Sequence, residues 1–155
     1  MSRAFVREDA GQQAAEPLPE RAVSRHRNLV TAEGLAQLEE ALREWRTNLT
    51  SARAADDADG VARAERELHY FAARRASAEL APEPPAAGPA RFGSRVTLRR
   101  EDGTTLEFRI VGEDEAEPRE GKVAWVAPLA RATLGKVPGD SIEFAGNTYE
   151  LEIVA

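Results

Sequence analysis

Apolar residues recur at alternating spacings of three and four along two stretches of the chain, and this pattern predicts two amphipathic helices. The first stretch contains Leu35, Leu38, Leu42, Trp45, Leu49 and Ala52, and the second contains Val61, Ala64, Leu68, Phe71, Arg75 and Ala78. A stripe with this period needs a partner helix to bury it, and only a short connection joins the two stretches. We therefore predict that residues 31–81 fold back as an antiparallel coiled-coil hairpin.

The connection between the two stripes is acidic and carries no apolar side chain larger than alanine. It contains Asp56, Asp57 and Asp59, followed by Gly60. Thr31 is a good N-cap for the first helix, which we expect to end near Ala55 after about 36 Å. The second helix is expected from about Gly60 to Leu80. The predicted hairpin therefore carries carboxylates at the far end of a rod, in a tip formed by residues 56–60.

A proline-rich stretch separates the hairpin from a segment with a different period. Residues 82–90 predict a stiff linker, because prolines recur there. Beyond it, apolar residues alternate with polar ones, which is the pattern of half-buried strands. Short strands are predicted at 96–98, 106–110, 123–126, 141–144 and 148–154, with a helix from Pro128 to Leu134. We predict an α+β protein in which residues 91–155 form a small antiparallel β-sheet domain covered by one helix.

Residues 1–30 show neither period. They include the run Gly11-Gln12-Gln13-Ala14-Ala15-Glu16-Pro17-Leu18-Pro19, which is small, polar and proline-containing. Such a composition cannot bury enough apolar surface to offset the entropy of ordering the chain. We predict that most of this segment is disordered.

Composition and charge argue against several classes of protein. The chain has no cysteine, so it has neither disulfides nor thiolate chemistry. No apolar run is long enough to span a bilayer, and no secretory h-region follows the start, so we predict a cytoplasmic protein. The net charge of −6 is shared between residues 31–81 and 91–155 without a basic stripe, which argues against direct binding of nucleic acid.

Three segments resemble the Gre transcript-cleavage factors of bacteria. Leu29-Val30-Thr31-Ala32-Glu33-Gly34-Leu35 is similar to the family's Val-Thr-x-x-Gly start of the first helix. Arg109-Ile110-Val111-Gly112-Glu113-Asp114-Glu115-Ala116 resembles its Tyr-Arg-Ile-Val-Gly-acid-acid-Glu-Ala segment. The stretch from Pro128 to Lys136, followed by Gly139-Asp140, resembles its Ser-Pro-(Ile/Leu)-Ala-Arg-x-Leu-(Ile/Leu)-Gly-Lys segment. The resemblance covers about residues 28–155 and leaves the first 27 outside it.

The resemblance implies an FKBP-like C-terminal domain and an accessory role at bacterial RNA polymerase, with no active site of its own. Such factors dock the C-terminal domain at the rim of the secondary channel and insert the coiled coil. Acids at the tip, here Asp56, Asp57 and Asp59, then help to hold a second Mg²⁺ in the polymerase, where backtracked RNA is cleaved. The free protein would hold no metal and would be a monomer. Pro128, Leu129 and Arg131 are the expected polymerase contacts, although Arg131 could equally cap local carbonyls.

The tip departs from the family pattern Gly-Asp-x-x-Glu-Asn-Ala-(Glu/Asp)-Tyr. Asp56 and Asp59 keep a three-residue spacing, but the Asn-Ala-acid-Tyr continuation is absent, and both helices are shorter than is usual in the family. Three hypotheses follow: a cleavage factor, a non-cleaving regulator that occupies the same channel, or a coiled-coil module with another partner. The three acids also fit a simple solvated turn.

Two other groups of residues are of types that bind metals or take part in catalysis. The run Glu113-Asp114-Glu115 fits a solvated acidic patch better than a cation site, because the three acids are adjacent on a predicted loop. His26 and His69 are too few and too far apart in sequence to indicate a zinc site or a catalytic dyad.

Overall fold

The structure is a computed structural model that describes residues 17–155. It contains a helical hairpin followed by a five-stranded mixed sheet with one short covering helix, which confirms the predicted α+β class. No helix in this range has the length and apolar character needed to cross a membrane.

The hairpin consists of α1 (Ala32–Ala54) and α2 (Ala58–Ser77). Its seam is closed by small and aliphatic residues at the predicted positions, and the most buried of them are Leu38, Leu42, Ala52 and Ala64. Near the base, Arg75 of the predicted stripe donates to Glu39 across the seam at 2.9 Å. The helices therefore hold each other by apolar packing along the rod, with an ion pair at its edge.

The C-terminal sheet has five strands, which are β3 (Arg95–Arg100), β4 (Thr105–Val111), β5 (Lys122–Ala124), β6 (Ser141–Phe144) and β7 (Asn147–Val154). Their order across the sheet is β5-β4-β3-β7-β6. All neighbours are antiparallel except β4 and β5, which are parallel, so the wholly antiparallel sheet that we predicted is wrong at this edge. The loop between them, with a 3₁₀ turn at Pro118–Glu120, doubles back only as far as Arg109, so the three residues of β5 pair with the last three residues of β4.

The core of this domain lies between the sheet and α3 (Pro128–Thr133). Val96, Leu98, Phe108, Ile110, Ile142 and Leu151 point inward from the strands. Ala130 of α3 is fully buried against them. The last hairpin turns at Ala145-Gly146, whose φ angles of 50° and 76° are those of the tight turn that matches strand twist.

A second, two-stranded sheet that the sequence did not predict lies at the base of the hairpin. Here β1 (Leu29–Val30) pairs in parallel with β2 (Glu79–Leu80), so the chain entering α1 is tied to the chain leaving α2. This sheet packs against the end of β4 at Gly112, where an added Cβ would lie 2.5 Å from the Leu29 carbonyl oxygen. Gly112 therefore allows the base of the hairpin to contact the C-terminal domain directly.

The prediction that most of residues 1–30 are disordered stays a prediction. Residues 1–16 lie outside the described residues. Residues 17–28 have no regular secondary structure, but Asn28 is buried and several side chains contact α2 and the C-terminal domain. Composition did not predict this order because the stabilising partners lie more than 40 residues away in sequence.

Candidate functional site

The tip of the hairpin is a tight turn between α1 and α2. Asp56 has a φ of 51°, in the left-handed region that aspartate tolerates better than most residues. The backbone N–H of Asp57 donates to the carbonyl of Ala52 at 2.9 Å, which closes the end of α1. All three tip acids are exposed.

The three acids do not share one role. Asp57 is the N-cap of α2, and its Oδ1 accepts the backbone N–H of Gly60 at 3.0 Å. Gly60 permits this, because an added Cβ would lie 2.3 Å from Asp57 Oδ2. Asp56 and Asp59 accept no hydrogen bond within residues 17–155, so their carboxylates face solvent. The tip therefore presents two carboxylates without local partners and one that stabilises the turn.

The arginine that precedes the tip is already paired and does not neutralise this charge. Arg53, in the last turn of α1, forms an ion pair with Glu65 of α2 at 3.1 Å, across the hairpin below the tip. Within the described range, no group of three or more acidic, histidine or cysteine side chains is arranged to hold a metal. The tip is thus an exposed acidic end that could add ligands to a metal held by a partner.

The other residues predicted as a site lie on α3, away from the hairpin. Pro128 is exposed at the first helical position, Arg131 is exposed in the last turn, and Leu129 is half-buried against the core. Lys136 follows α3, and its carbonyl accepts the backbone N–H of Ala90 at 2.8 Å, which places Arg91 beside this segment. None of these three basic side chains has an ion-pair partner in the part of the chain that the structure describes.

The acidic run after β4 is not the solvated patch expected from the sequence. Asp114 accepts hydrogen bonds from the Tyr70 hydroxyl and from Arg74 Nε, each at 2.5 Å. Glu115, which is 6% exposed, accepts the Thr31 hydroxyl at 2.6 Å. We call these five residues the interdomain clamp, because they join the base of both helices to the C-terminal domain.

The residues of the clamp are buried or half-buried, which makes their ionic contacts costly to break. Arg74 is 1% exposed and is also 3.8 Å from Glu113, so its charge is compensated entirely by the loop after β4. Burial, and then the hydrogen bond to Asp114, raise the pKa of Tyr70 to about 12, which keeps the phenol protonated as a donor. Buried ionic groups of this kind are costly to separate once formed.

A glycine and a second ion pair also lie where the base of the hairpin contacts the C-terminal domain. An added Cβ at Gly34 would lie 2.6 Å from Glu115 Oε2, so the Thr-x-x-Gly spacing brings α1 up to the buried carboxylate. Glu33 accepts a hydrogen bond from Lys122 at 3.0 Å, and this contact, with help from Arg109, lowers the pKa of the Glu33 carboxyl.

Sequence reasoning missed the clamp, although one signal was present. Tyr70 and Arg74 are four residues apart and therefore share a face of α2, and neither falls on the apolar stripe that faces α1. Two polar residues aligned beside the seam indicate a second contact surface. The partner loop could not be identified, because its three acids have no periodicity.

These features define a class of two-domain α+β protein in which a compact sheet domain holds a charged helical rod at its base. Residues 85–155 match the family described as transcription elongation factor, GreA/GreB, C-term. The chain is 41% identical over 73 residues to a transcription elongation factor GreA of Thioalkalivibrio sulfidiphilus, covering 45% of this chain and 46% of that relative. It is 46% identical over 55 residues to the GreA of Methylococcus capsulatus, covering 34% and 35%.

The C-terminal part of the chain is therefore similar to that of the GreA/GreB transcription elongation factors. The chain spans less than half the length of each of these two relatives. Among solved structures it is similar to GreA factor homolog 1 (Gfh1) of Thermus thermophilus, with a TM-score of 0.41 and 18% identity, covering 84% of this chain and 99% of that one.

Proposed function

We propose that this protein binds bacterial RNA polymerase at the secondary channel and stimulates cleavage of backtracked transcripts through its tip. The observation that carries the proposal is the exposed pair Asp56 and Asp59 at the end of a rod whose base is fixed to a Gre-type domain. With 23 residues, α1 holds the tip about 34 Å from its first residue. The protein is then an accessory factor, and the bond is broken in the polymerase.

The chemistry of the tip supports this role. Two metal ions stabilise the attacking and leaving oxygens of a phosphoryl displacement, and Mg²⁺ prefers hard oxygen ligands such as carboxylates. Asp56 and Asp59 would add ligands to a second Mg²⁺ that is held only in the complex. On this proposal the free protein needs no cofactor of its own.

Docking is assigned to the C-terminal domain. Pro128, Leu129 and Arg131 offer an exposed ring, a half-buried aliphatic side chain and an unpaired cation on one short helix. With Lys136 and Arg91 nearby, this surface is more basic than the rest of a domain that carries twelve acids and nine bases. We therefore expect its contact on the polymerase to be acidic and to weaken as salt increases.

A second candidate is a regulator that occupies the channel without stimulating cleavage. The capping role of Asp57 favours it, because one of the three acids is engaged with its own turn. The missing Asn-Ala-acid-Tyr continuation favours it as well. In this case the tip would exclude other factors by occupying the channel.

A transcript-cleavage assay on stalled, backtracked complexes of the cognate polymerase separates the two candidates. Acceleration that is lost in Asp56→Asn/Asp59→Asn, while binding to polymerase is retained, supports the cleavage factor. Retained binding and competition with a known cleavage factor, without acceleration, support the regulator. If neither binding nor cleavage is observed, the hairpin acts on another partner and the proposal is wrong.

A further inference from the structure

A short segment before β1, which has no regular secondary structure, contacts both domains. At one end, Arg21 Nη1 forms an ion pair with Glu67 of α2 at 2.5 Å. The Arg21 guanidinium also lies over the Tyr70 ring, 3.7 Å from its centroid, at the distance of a cation–π contact. This part of the segment therefore holds the middle of α2.

The other end of the segment reaches the C-terminal domain. The His26 ring meets the Trp125 ring edge to face, with centroids 6.1 Å apart and an interplanar angle of 75°. Asn28, which is 4% exposed, donates through Nδ2 to the Arg74 carbonyl at 2.6 Å. Residues 20–28 thus run beside α2 and cross to the sheet domain, and we call them the strap.

The strap supports the same two helix residues that form the clamp. Arg21 covers the ring of Tyr70, whose hydroxyl donates to Asp114. Asn28 holds the backbone of Arg74, whose side chain donates to the same carboxylate. The strap lies outside the GreA/GreB match, which begins at residue 85, and all of it except Asn28 lies outside the resemblance, which begins at about residue 28.

We propose that the strap is a positioning element that fixes the angle of the hairpin against the C-terminal domain and so aims the acidic tip. An arm of about 34 Å converts a rotation of about 10° at its base into about 6 Å at the tip. Arg21 attaches the strap to α2, His26 attaches it to the C-terminal domain, and Asn28 anchors it where it enters β1. The consequence for transcription rests on the proposed function, but the fixed angle does not.

The fixed angle can be measured in the free, full-length protein. The chain has no cysteine, so Ala54→Cys near the tip and Glu143→Cys on β6 provide two exposed positions for spin labels. We expect one narrow distance distribution in the parent. In Arg21→Ala/His26→Ala the distance distribution should broaden or shift by about 6 Å for each 10° of rotation that the hairpin gains at its base.

Two controls separate positioning from general damage. Arg25→Ala alters an exposed strap residue that has no ion pair among residues 17–155, and it should keep the parent distribution. Arg21→Lys keeps the charge over Tyr70 and should recover part of the narrow distribution. Circular dichroism should show unchanged helix content in every variant.

An unchanged distance distribution in Arg21→Ala/His26→Ala would overturn the proposal, as would equal broadening in Arg25→Ala. Because no polymerase is present, this result is independent of whether the tip stimulates cleavage. A broadened distribution in a protein that fails to bind polymerase would uphold the strap and reject the proposed function.

Discussion

Replacing Arg74 by alanine tests whether the interdomain clamp is a principal source of stability. The side chain of Arg74 is 2% exposed, and its ion-pair partner Asp114 is 16% exposed. Removing one member of a buried pair leaves the other charge uncompensated, which costs about 3–5 kcal/mol. Since Asp114 keeps the Tyr70 hydroxyl and some contact with water, we expect the lower end, about 3 kcal/mol.

The neighbouring residue supplies a matched control. Arg75 forms an ion pair with Glu39 at 2.9 Å, but the two side chains are 43% and 41% exposed. Exposed pairs of this kind contribute about 0.2–1 kcal/mol. Arg75→Ala should therefore lower the stability far less than Arg74→Ala, although both variants remove one arginine from the same turn of α2.

Urea and thermal unfolding, followed by circular dichroism and tryptophan fluorescence, provide the measurement. A loss of about 3 kcal/mol in a protein of this size lowers Tm by about 6–12 °C. Asp114→Asn, combined with Arg74→Ala in a double-mutant cycle, should give a coupling energy of about 1–3 kcal/mol. If Arg74→Ala and Arg75→Ala unfold within about 0.5 kcal/mol of each other, the reasoning from burial is refuted.

Three further predictions concern single groups. Asp57→Ala should lower hairpin stability by about 1 kcal/mol through loss of the N-cap, whereas Asp57→Asn should retain it in the same unfolding assay; equal losses would reject the cap. Because the pKa of Tyr70 is raised from 10.0 to about 12 in the folded protein, its contribution is complete below pH 10 and is lost as the pH rises toward 12. Tyr70→Phe should remove that slope from stability measured against pH, and an unchanged slope would place the titration elsewhere. Gly34→Ala should destabilise the parent protein, because the added Cβ meets the Glu115 carboxylate. In a Glu115→Ala background the same substitution should stabilise the protein by up to about 1 kcal/mol, because alanine has the higher helix propensity. A stability change of the same sign in both backgrounds would contradict the close approach.

The sequence predicted the hairpin well because its signal is local and repeated. Leu38, Leu42 and Ala64 are buried where the heptad pattern placed them, and Thr31 caps α1 as its residue type indicated. These features depend on residues within one or two turns of each other.

The contacts between domains could not be predicted in the same way. The partners of Asp114 lie 44 and 40 residues earlier in the chain, and Arg21 meets Glu67 over a separation of 46. No periodicity links such residues, and an acidic loop has the same composition whether it faces water or a buried arginine. The parallel pairing of β4 and β5 was missed for a related reason, since the direction of an edge strand depends on the path of the loop before it.

The length of the hairpin and its angle at the base each determine where the tip lies. One additional helical turn in both helices would extend the tip by about 5.4 Å, and about 10° of rotation at the base displaces it sideways by about 6 Å. A carboxylate ligates Mg²⁺ at only about 2.0–2.1 Å, so either error removes it from a metal site. The length of the hairpin is fixed by its residue count, whereas its angle depends on the contacts at its base, namely the Arg74–Asp114 pair, the Thr31–Glu115 hydrogen bond and, on our proposal, the strap. The base of the hairpin should therefore be as sensitive to substitution as the tip in any assay that depends on where Asp56 and Asp59 are delivered.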